Sequence, residues 1–319
     1  MQLQAYLCHR RISGKTMGDS RDENQKYGLM VAIITYVIWG ALPIYWKQLD
    51  GMPSMTILCF RIIGAFLFTI TVILIRGKWR RVFFAEAKLV FQNRKTLLAA
   101  IGASALITAN WLAYIFAMEN DLVMETSLGY FVLPMVNVVL AIFVLKEKLS
   151  LTGWIACGLA LAGIIVITVD AKVMPWVAIG LSVSFSLYGI IKKTIPLSSY
   201  TSITFDAMLP APFAAVWLAA IARQGPVMPD SASVNVYLIL AGFITAGPLL
   251  LFAIAAKRIS YIAIGFIQYI APTVTFFIAY FMYGEPLSPM KLAGFILIWA
   301  GILVYSSGML KHRTARELP

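Results

Sequence analysis

The sequence predicts an all-α integral membrane protein of ten transmembrane helices, built as two inverted five-helix repeats. Three observations carry this expectation. Hydrophobic residues make up 61% of the 319 positions and charged residues only 13%, against roughly 25% charged in an ordinary soluble domain. So much apolar side chain requires lipid as the solvent. One stretch also occurs twice: Ser127-Leu128-Gly129-Tyr130-Phe131-Val132-Leu133-Pro134 leading to Glu147, and Gly265-Phe266-Ile267-Gln268-Tyr269-Ile270-Ala271-Pro272 leading to Glu285. The spacing from proline to glutamate is the same in both copies, and Leu159, Ala162, Gly163 and Ile164 recur in register as Leu297, Ala300, Gly301 and Ile302. Third, lysine and arginine alternate from one connection to the next in the way that fixes membrane topology.

Ten apolar stretches account for the spans, each near the ~20 residues that cross a hydrocarbon core of about 30 Å. They run over 28–47, 53–75, 96–118, 122–145, 151–169, 174–191, 200–222, 236–256, 261–283 and 291–310. Residues 1–26 form a polar tail of mixed charge with no apolar core, so no signal peptide is expected there. Met17 offers an alternative start that would make residues 1–16 dispensable. The first repeat covers 27–171, the second 172–310, and 311–319 form a second tail.

The tails and the even-numbered connections are basic, the longest running from Arg76 to Lys95 with Arg80-Arg81 at its middle. The odd-numbered connections carry only Lys47, Lys172, Arg223 and Lys291. By the positive-inside rule both termini are cytoplasmic. The net charge of +12 therefore reflects topology and not nucleic-acid binding. Cys8, Cys59 and Cys157 lack metal or redox spacing, and His9 and His312 lie in the tails. No metal site, cofactor, disulfide framework or histidine-based catalysis is expected.

The repeat unit is five spans long. Thr35-Tyr36-Val37-Ile38-Trp39-Gly40 resembles Ser184-Phe185-Ser186-Leu187-Tyr188-Gly189, and Ala100-Ile101-Gly102 resembles Leu240-Ala241-Gly242. An odd number of spans returns the chain on the other face, so the halves are inverted. Secondary transporters are commonly built this way, with a site near the midplane between the halves.

Arg61 is the outstanding candidate for chemistry. It lies on the order of 12 Å into its span at ~1.5 Å per residue, where an arginine costs roughly 2.5–3.5 kcal/mol. It needs a partner or a wet cavity, and reads either as a structural ion pair or as a substrate-binding cation. Asp206 occupies the matching place in the second half. It pairs either with Arg61 near the centre or with Lys192 or Lys193 at the membrane edge. Trp39, Asn110, Trp111, Tyr130, Tyr188, Gln268 and Tyr269 complete the candidate cavity. Central tryptophans suggest packing or a cavity wall, and an intramembrane asparagine needs an interhelical hydrogen bond.

Pro134 and Pro272 each free a backbone carbonyl one turn earlier and read as symmetric gates or as static kinks. Glu125 opens the fourth span, where it complements the helix dipole or takes part in proton coupling. Glu147 and Glu285 fit helix capping and loop contacts. The small residues Gly153, Gly158, Gly163, Gly294 and Gly301 mark the fifth and tenth spans as peripheral packing helices, the candidates for a homo-oligomer contact.

Tyr36-Val37-Ile38-Trp39-Gly40, Ala109-Asn110-Trp111, the Ser127-to-Pro134 stretch, Gly265 to Thr273, and Tyr283-Gly284-Glu285 together resemble the RarD branch of the EamA group, in the drug/metabolite transporter superfamily. The resemblance runs from about Gly28 to Met309. It implies ten helices in two inverted repeats, a central substrate cavity and a bacterial inner membrane. It also implies the traditional label "chloramphenicol-sensitive protein". Two positions depart from the branch pattern. Phe60 stands where a histidine often precedes the arginine, which puts in doubt any proton coupling through that histidine. Asp206 stands where glutamate is usual.

These observations point to a secondary-active transporter, an exporter of a small metabolite or drug-like molecule, working by alternating access. No Walker motif accompanies it, so the drive is expected from an ion gradient, with a proton as the candidate ion, or from the substrate's own gradient. The rivals are a membrane receptor or structural subunit that binds without transporting, and an intramembrane enzyme, for which no catalytic constellation is present.

Overall fold

The computed structural model describes residues 17–119, 122–172, 176–284 and 286–317, and every α- or 3-10 element among them is helical. The helices are α1 (Met17–Trp46), α2 (Ser54–Ile75), α3 (Gly77–Gln92), α4 (Arg94–Glu119), α5 (Val123–Phe143), α6 (Leu151–Ala171) and α7 (Trp176–Thr194). They continue as α8 (Ser199–Met208), α9 (Ala211–Ala222), α10 (Ala232–Ala256), α11 (Tyr261–Gln268), α12 (Ile270–Tyr283) and α13 (Pro289–Glu317). A short 3-10 turn, Lys47–Leu49, follows α1. The pairs α8/α9 and α11/α12 are single spans broken in the middle.

Nine helical segments among the described residues are long and apolar enough to cross a membrane. The sixth expected span, α7, is the tenth crossing. Its hydropathy is diluted by Ser182, Ser184 and Ser186 and by the lysine pair at its end. Ser182 and Ser184 satisfy their hydroxyls on backbone carbonyls one turn back, Ala178 at 2.6 Å and Gly180 at 2.8 Å, so α7 carries them at little desolvation cost.

Two expectations change. The basic connection 76–95 is not a plain loop, because α3 occupies most of it. Its Phe83 and Val90 pack inward with Leu197 and Phe205, while Arg80, Arg81, Lys88, Phe84 and Phe91 remain exposed. A helix with that division has the pattern of one lying in a membrane interface. The outermost helices also continue beyond the expected spans, with α1 beginning inside the 1–26 tail and α13 running on to Glu317.

The helix breaks have a common cause. Proline has no N–H for the carbonyl four residues back. At Pro210 the orphaned carbonyl is that of Asp206, and the Ser104 hydroxyl on α4 donates to it at 2.9 Å. At Pro272 the orphan is the Gln268 carbonyl, and the helix breaks there, between Gln268 and Ile270. Pro134 stays inside an unbroken α5. The two echoed prolines are thus not equivalent in this conformation.

The packing follows the repeat. The first span packs on the ninth as the sixth packs on the fourth, and the first on the eighth as the sixth on the third. The second packs on the eighth as the third packs on the seventh, and the fifth packs on the tenth. Exchanging the halves leaves this pattern unchanged. The glycines of the fifth and tenth spans face each other: a Cβ on Gly163 would lie 2.6 Å from the Gly294 carbonyl oxygen, and one on Gly301 2.8 Å from that of Ala156. Those glycines are used within the chain, whereas Gly158 has nothing near it.

Another close crossing joins α2 and α10, where a Cβ on Gly64 would lie 2.9 Å from the Gly242 Cα. Overpacking of this kind costs typically 1–3 kcal/mol. Gly242→Leu is expected to lower the melting temperature in detergent by several degrees, while Gly158→Leu leaves it within a degree or two. Equal melting temperatures would show that the crossing is not close.

Candidate functional site

Arg61 rises from α2 toward the middle of the bundle, half-buried, and its Nε donates to the Thr245 hydroxyl on α10 at 3.0 Å. Its guanidinium carbon lies 4.8 Å from the ring centre of Trp46 and 5.3 Å from that of Trp111. Cation–π contacts of this kind gain strength when desolvated. The hydroxyls of Tyr45, Tyr114 and Tyr130 are within electrostatic reach. The group therefore draws on α1, α2, α4, α5 and α10, four spans of the first repeat and one of the second. Among the described residues no carboxylate pairs with Arg61.

Tyr130 is 50% exposed and yet within reach of both Arg61 and Tyr114. Pro134 leaves the Tyr130 carbonyl without its usual helical donor.

Asp206 takes the second of its two expected routes. Its Oδ1 accepts from Lys192 Nζ at 2.6 Å and its Oδ2 from the Tyr188 hydroxyl at 2.9 Å. Lys192 Nζ also donates to the Ser202 carbonyl at 3.1 Å and to its hydroxyl at 2.6 Å. Both ionic side chains are almost wholly enclosed. In this conformation Asp206 and Tyr188 form a buried polar knot between α7 and α8, away from Arg61.

Other expected cavity residues are also committed. Asn110 donates to the Leu181 carbonyl at 2.8 Å and to the Ser184 hydroxyl at 2.9 Å, tying α4 to α7. Gln268 is buried and accepts from Asn137 Nδ2 at 2.5 Å, a bond between the two echoed helices. Trp39 packs against Tyr36, Phe185 and Phe252. Tyr269, 1% exposed, sits in the apolar cluster of the fourth, fifth and tenth spans. Of the expected residues, Arg61, Trp111 and Tyr130 come together. Tyr45, Trp46, Tyr114 and Thr245 join them without having been singled out. Tyr45-Trp46 at the end of a span gave only the signal of an interfacial anchor, and a threonine in a span ordinarily bonds its own helix.

At the even-connection end the halves are clasped. Glu147, at the end of the first echoed stretch, accepts from the backbone N–H groups of Tyr261 at 2.8 Å and Ile262 at 2.9 Å. It thus caps the first turn of α11 in the other repeat, where a carboxylate complements the helix dipole. Glu86 on α3 accepts from the Ser198 N–H and hydroxyl, both at 2.8 Å. Lys193 donates to the Ile259 carbonyl at 2.6 Å and the Ala256 carbonyl at 3.1 Å. Lys257 returns the arrangement, donating to the carbonyls of Ile195 and Leu197. Each lysine satisfies the carboxyl end of the other's helix. The side chain of Glu125, and Glu285 as a whole, lie outside the described residues.

Comparison with known proteins agrees with this architecture. The model of the EamA-like transporter family matches twice, over residues 26–169 and 173–307. The uncharacterized transporter YojE of Bacillus subtilis is 37% identical over 92% of this chain and 97% of its own length. Protein RarD of Escherichia coli K12 is 34% identical over 88% of this chain and 94% of its own. A solved crystal structure superposes with a TM-score of 0.64 at 16% identity, over 87% of this chain and 96% of that one, and shows the shared fold alone.

The Lys192–Asp206 pair gives a double-mutant test. Removing one partner leaves a buried charge, at a cost of about 3–5 kcal/mol, whereas removing both is often neutral. Lys192→Met is expected to lower the melting temperature sharply in detergent, and Lys192→Met with Asp206→Asn to recover most of the loss. An additive double mutant would show that the two charges do not interact.

Proposed function

The chain belongs to the EamA-like transporter family, and from that premise we propose that it is a secondary-active transporter of a small metabolite or drug-like molecule, working in the direction of export. The observation that carries the reading is Arg61: a cation in the middle of the bundle, ringed by aromatic side chains, facing a recess with no carboxylate partner among the described residues. Polar groups of that kind inside a membrane mark substrate or ion paths.

The two ends of the bundle differ, which supports alternating access. Glu147, Glu86, Lys193 and Lys257 hold the even-connection end together. With both termini in the cytoplasm, that end is the cytoplasmic face of a bacterial inner membrane. The recess then communicates with the opposite side, and transport consists of releasing the Glu147 clasp while the outer end closes. The helix breaks at Tyr269 and Pro210 supply the hinges. Because the Lys192–Asp206 knot is internally neutral, it travels with its helices without moving net charge.

Purified protein is screened against metabolites by thermal shift, and the hits are tested for flux into proteoliposomes. Ligand-specific flux above that of empty vesicles is expected. Tight binding with no flux would favour a receptor or structural subunit instead, and chemical conversion of the ligand would favour an enzyme.

A further inference from the structure

We infer that the Arg61 recess binds a monoanion, specifically the carboxylate of a small acid whose remaining body is apolar. This deepens the proposed transport function by naming the substrate class, although binding itself does not depend on that reading. The guanidinium has five N–H donors in a fixed fork. Nε is engaged by Thr245 at 3.0 Å, while Nη1 and Nη2 donate to no group among the described residues. The free edge of the fork is therefore the Nη1–Nη2 edge, which offers two parallel bonds to a carboxylate. Trp46 and Trp111 stand close to the guanidinium carbon and limit its freedom to swing, so the fork is held in advance of any ligand.

Charge balance selects among anions. Lys192 is neutralised by Asp206 at 2.6 Å, Lys193 and Lys257 are committed to backbone carbonyls at the clasped end, and Lys47 lies over the Tyr283 ring at 3.9 Å. Among the described residues one positive charge, that of Arg61, thus remains in the recess. A carboxylate cancels it, whereas a dianion such as a phosphate monoester would keep an uncompensated charge in a medium of low dielectric. The walls are Trp46, Trp111, Tyr45, Tyr114 and Tyr130. Aromatic faces suit an apolar or aromatic body, with the phenols of Tyr114 and Tyr130 beside it, while the Tyr45 hydroxyl already donates to the Tyr237 carbonyl.

The test uses the full chain in nanodiscs with four probes of one shape: benzoate, its neutral isostere benzamide, benzylamine and phenyl phosphate. Affinity is read from tryptophan fluorescence, since Trp46 and Trp111 touch the site, and from thermal shift. Benzoate is expected to bind at least about tenfold more tightly than benzamide, as charge-assisted bonds to a fork imply, with benzylamine and phenyl phosphate weaker still. Arg61→Gln is expected to abolish the preference of benzoate over benzamide. Arg61→Lys, which keeps the charge but loses the fork, retains part of it.

Absence of benzoate binding, a wild-type protein indifferent between benzoate and benzamide, or a preference that survives Arg61→Gln overturns the inference. Should Arg61→Gln fail to fold, Arg61→Lys decides, and an undiminished preference in it overturns the inference equally. Flux separates this proposal from the transport reading. Benzoate binding without flux sinks transport and leaves the anion site standing. Flux of neutral or cationic compounds, untouched by Arg61→Lys, does the reverse.

Discussion

A charge inside hydrocarbon has to be paired or kept in contact with water, and most of this molecule's interior follows from that constraint. Two sites answer it in opposite ways. Lys192 and Asp206 are enclosed and complete: the ion pair is surrounded by Tyr188 and Ser202, and Ser104 meets the carbonyl that Pro210 leaves free. Arg61 is incomplete. Among the described residues it has one hydroxyl and two indole rings beside it, which do not cancel its charge and which water or an anion would complement. These sites occupy matching positions in the two repeats. In this conformation the second-repeat position is enclosed in a polar knot, while Arg61 bonds to a single hydroxyl among the described residues.

The backbone obeys a parallel constraint. A carbonyl or N–H in a membrane needs an internal partner, and at several helix ends and at the Pro210 break that partner comes from elsewhere in the chain. Glu147 satisfies the start of α11, and Lys193 and Lys257 satisfy one another's helix ends. The two lysines do this within the second repeat, whereas Glu147 and Glu86 reach across from the first and so fasten one end of the bundle. The groups that solve a local solvation problem are those that must let go if the halves rock against each other.

Much of this was legible in the sequence, and the reasons it stops are specific. Hydropathy placed the spans because lipid imposes both length and composition. The echo from Ser127 to Glu147 placed the duplication, whose register recurs in the helix pairing. Arg61 stood out because a lone arginine in an apolar run is costly. What the sequence left open was partnership. Asp206 had two candidate partners, and its choice of Lys192 depends on the rotation of α7 relative to α8, which no spacing specifies. Tyr45, Trp46 and Thr245 carry no mark that separates a site wall from an anchor or a self-bonded threonine. The helix α3 was missed because its basic residues dominate the composition of the connection, hiding the inward pair Phe83 and Val90. Tyr188, Gln268 and Tyr269 were grouped with the cavity as polar or aromatic residues in spans, but each is buried.

The central claim is that Arg61 and Tyr130 border a wet recess reached from the face opposite the Glu147 clasp. Cysteine accessibility tests it most directly. In a background with Cys8, Cys59 and Cys157 replaced by alanine, Tyr130→Cys is compared with Ile165→Cys, a residue on the exposed apolar surface of α6. A charged, membrane-impermeant thiol reagent applied to the outside of intact cells is expected to label Tyr130→Cys and to leave Ile165→Cys untouched. If Tyr130→Cys instead behaves like Ile165→Cys, reacting only with a lipid-soluble reagent, the side chain faces lipid and the account of the recess is wrong.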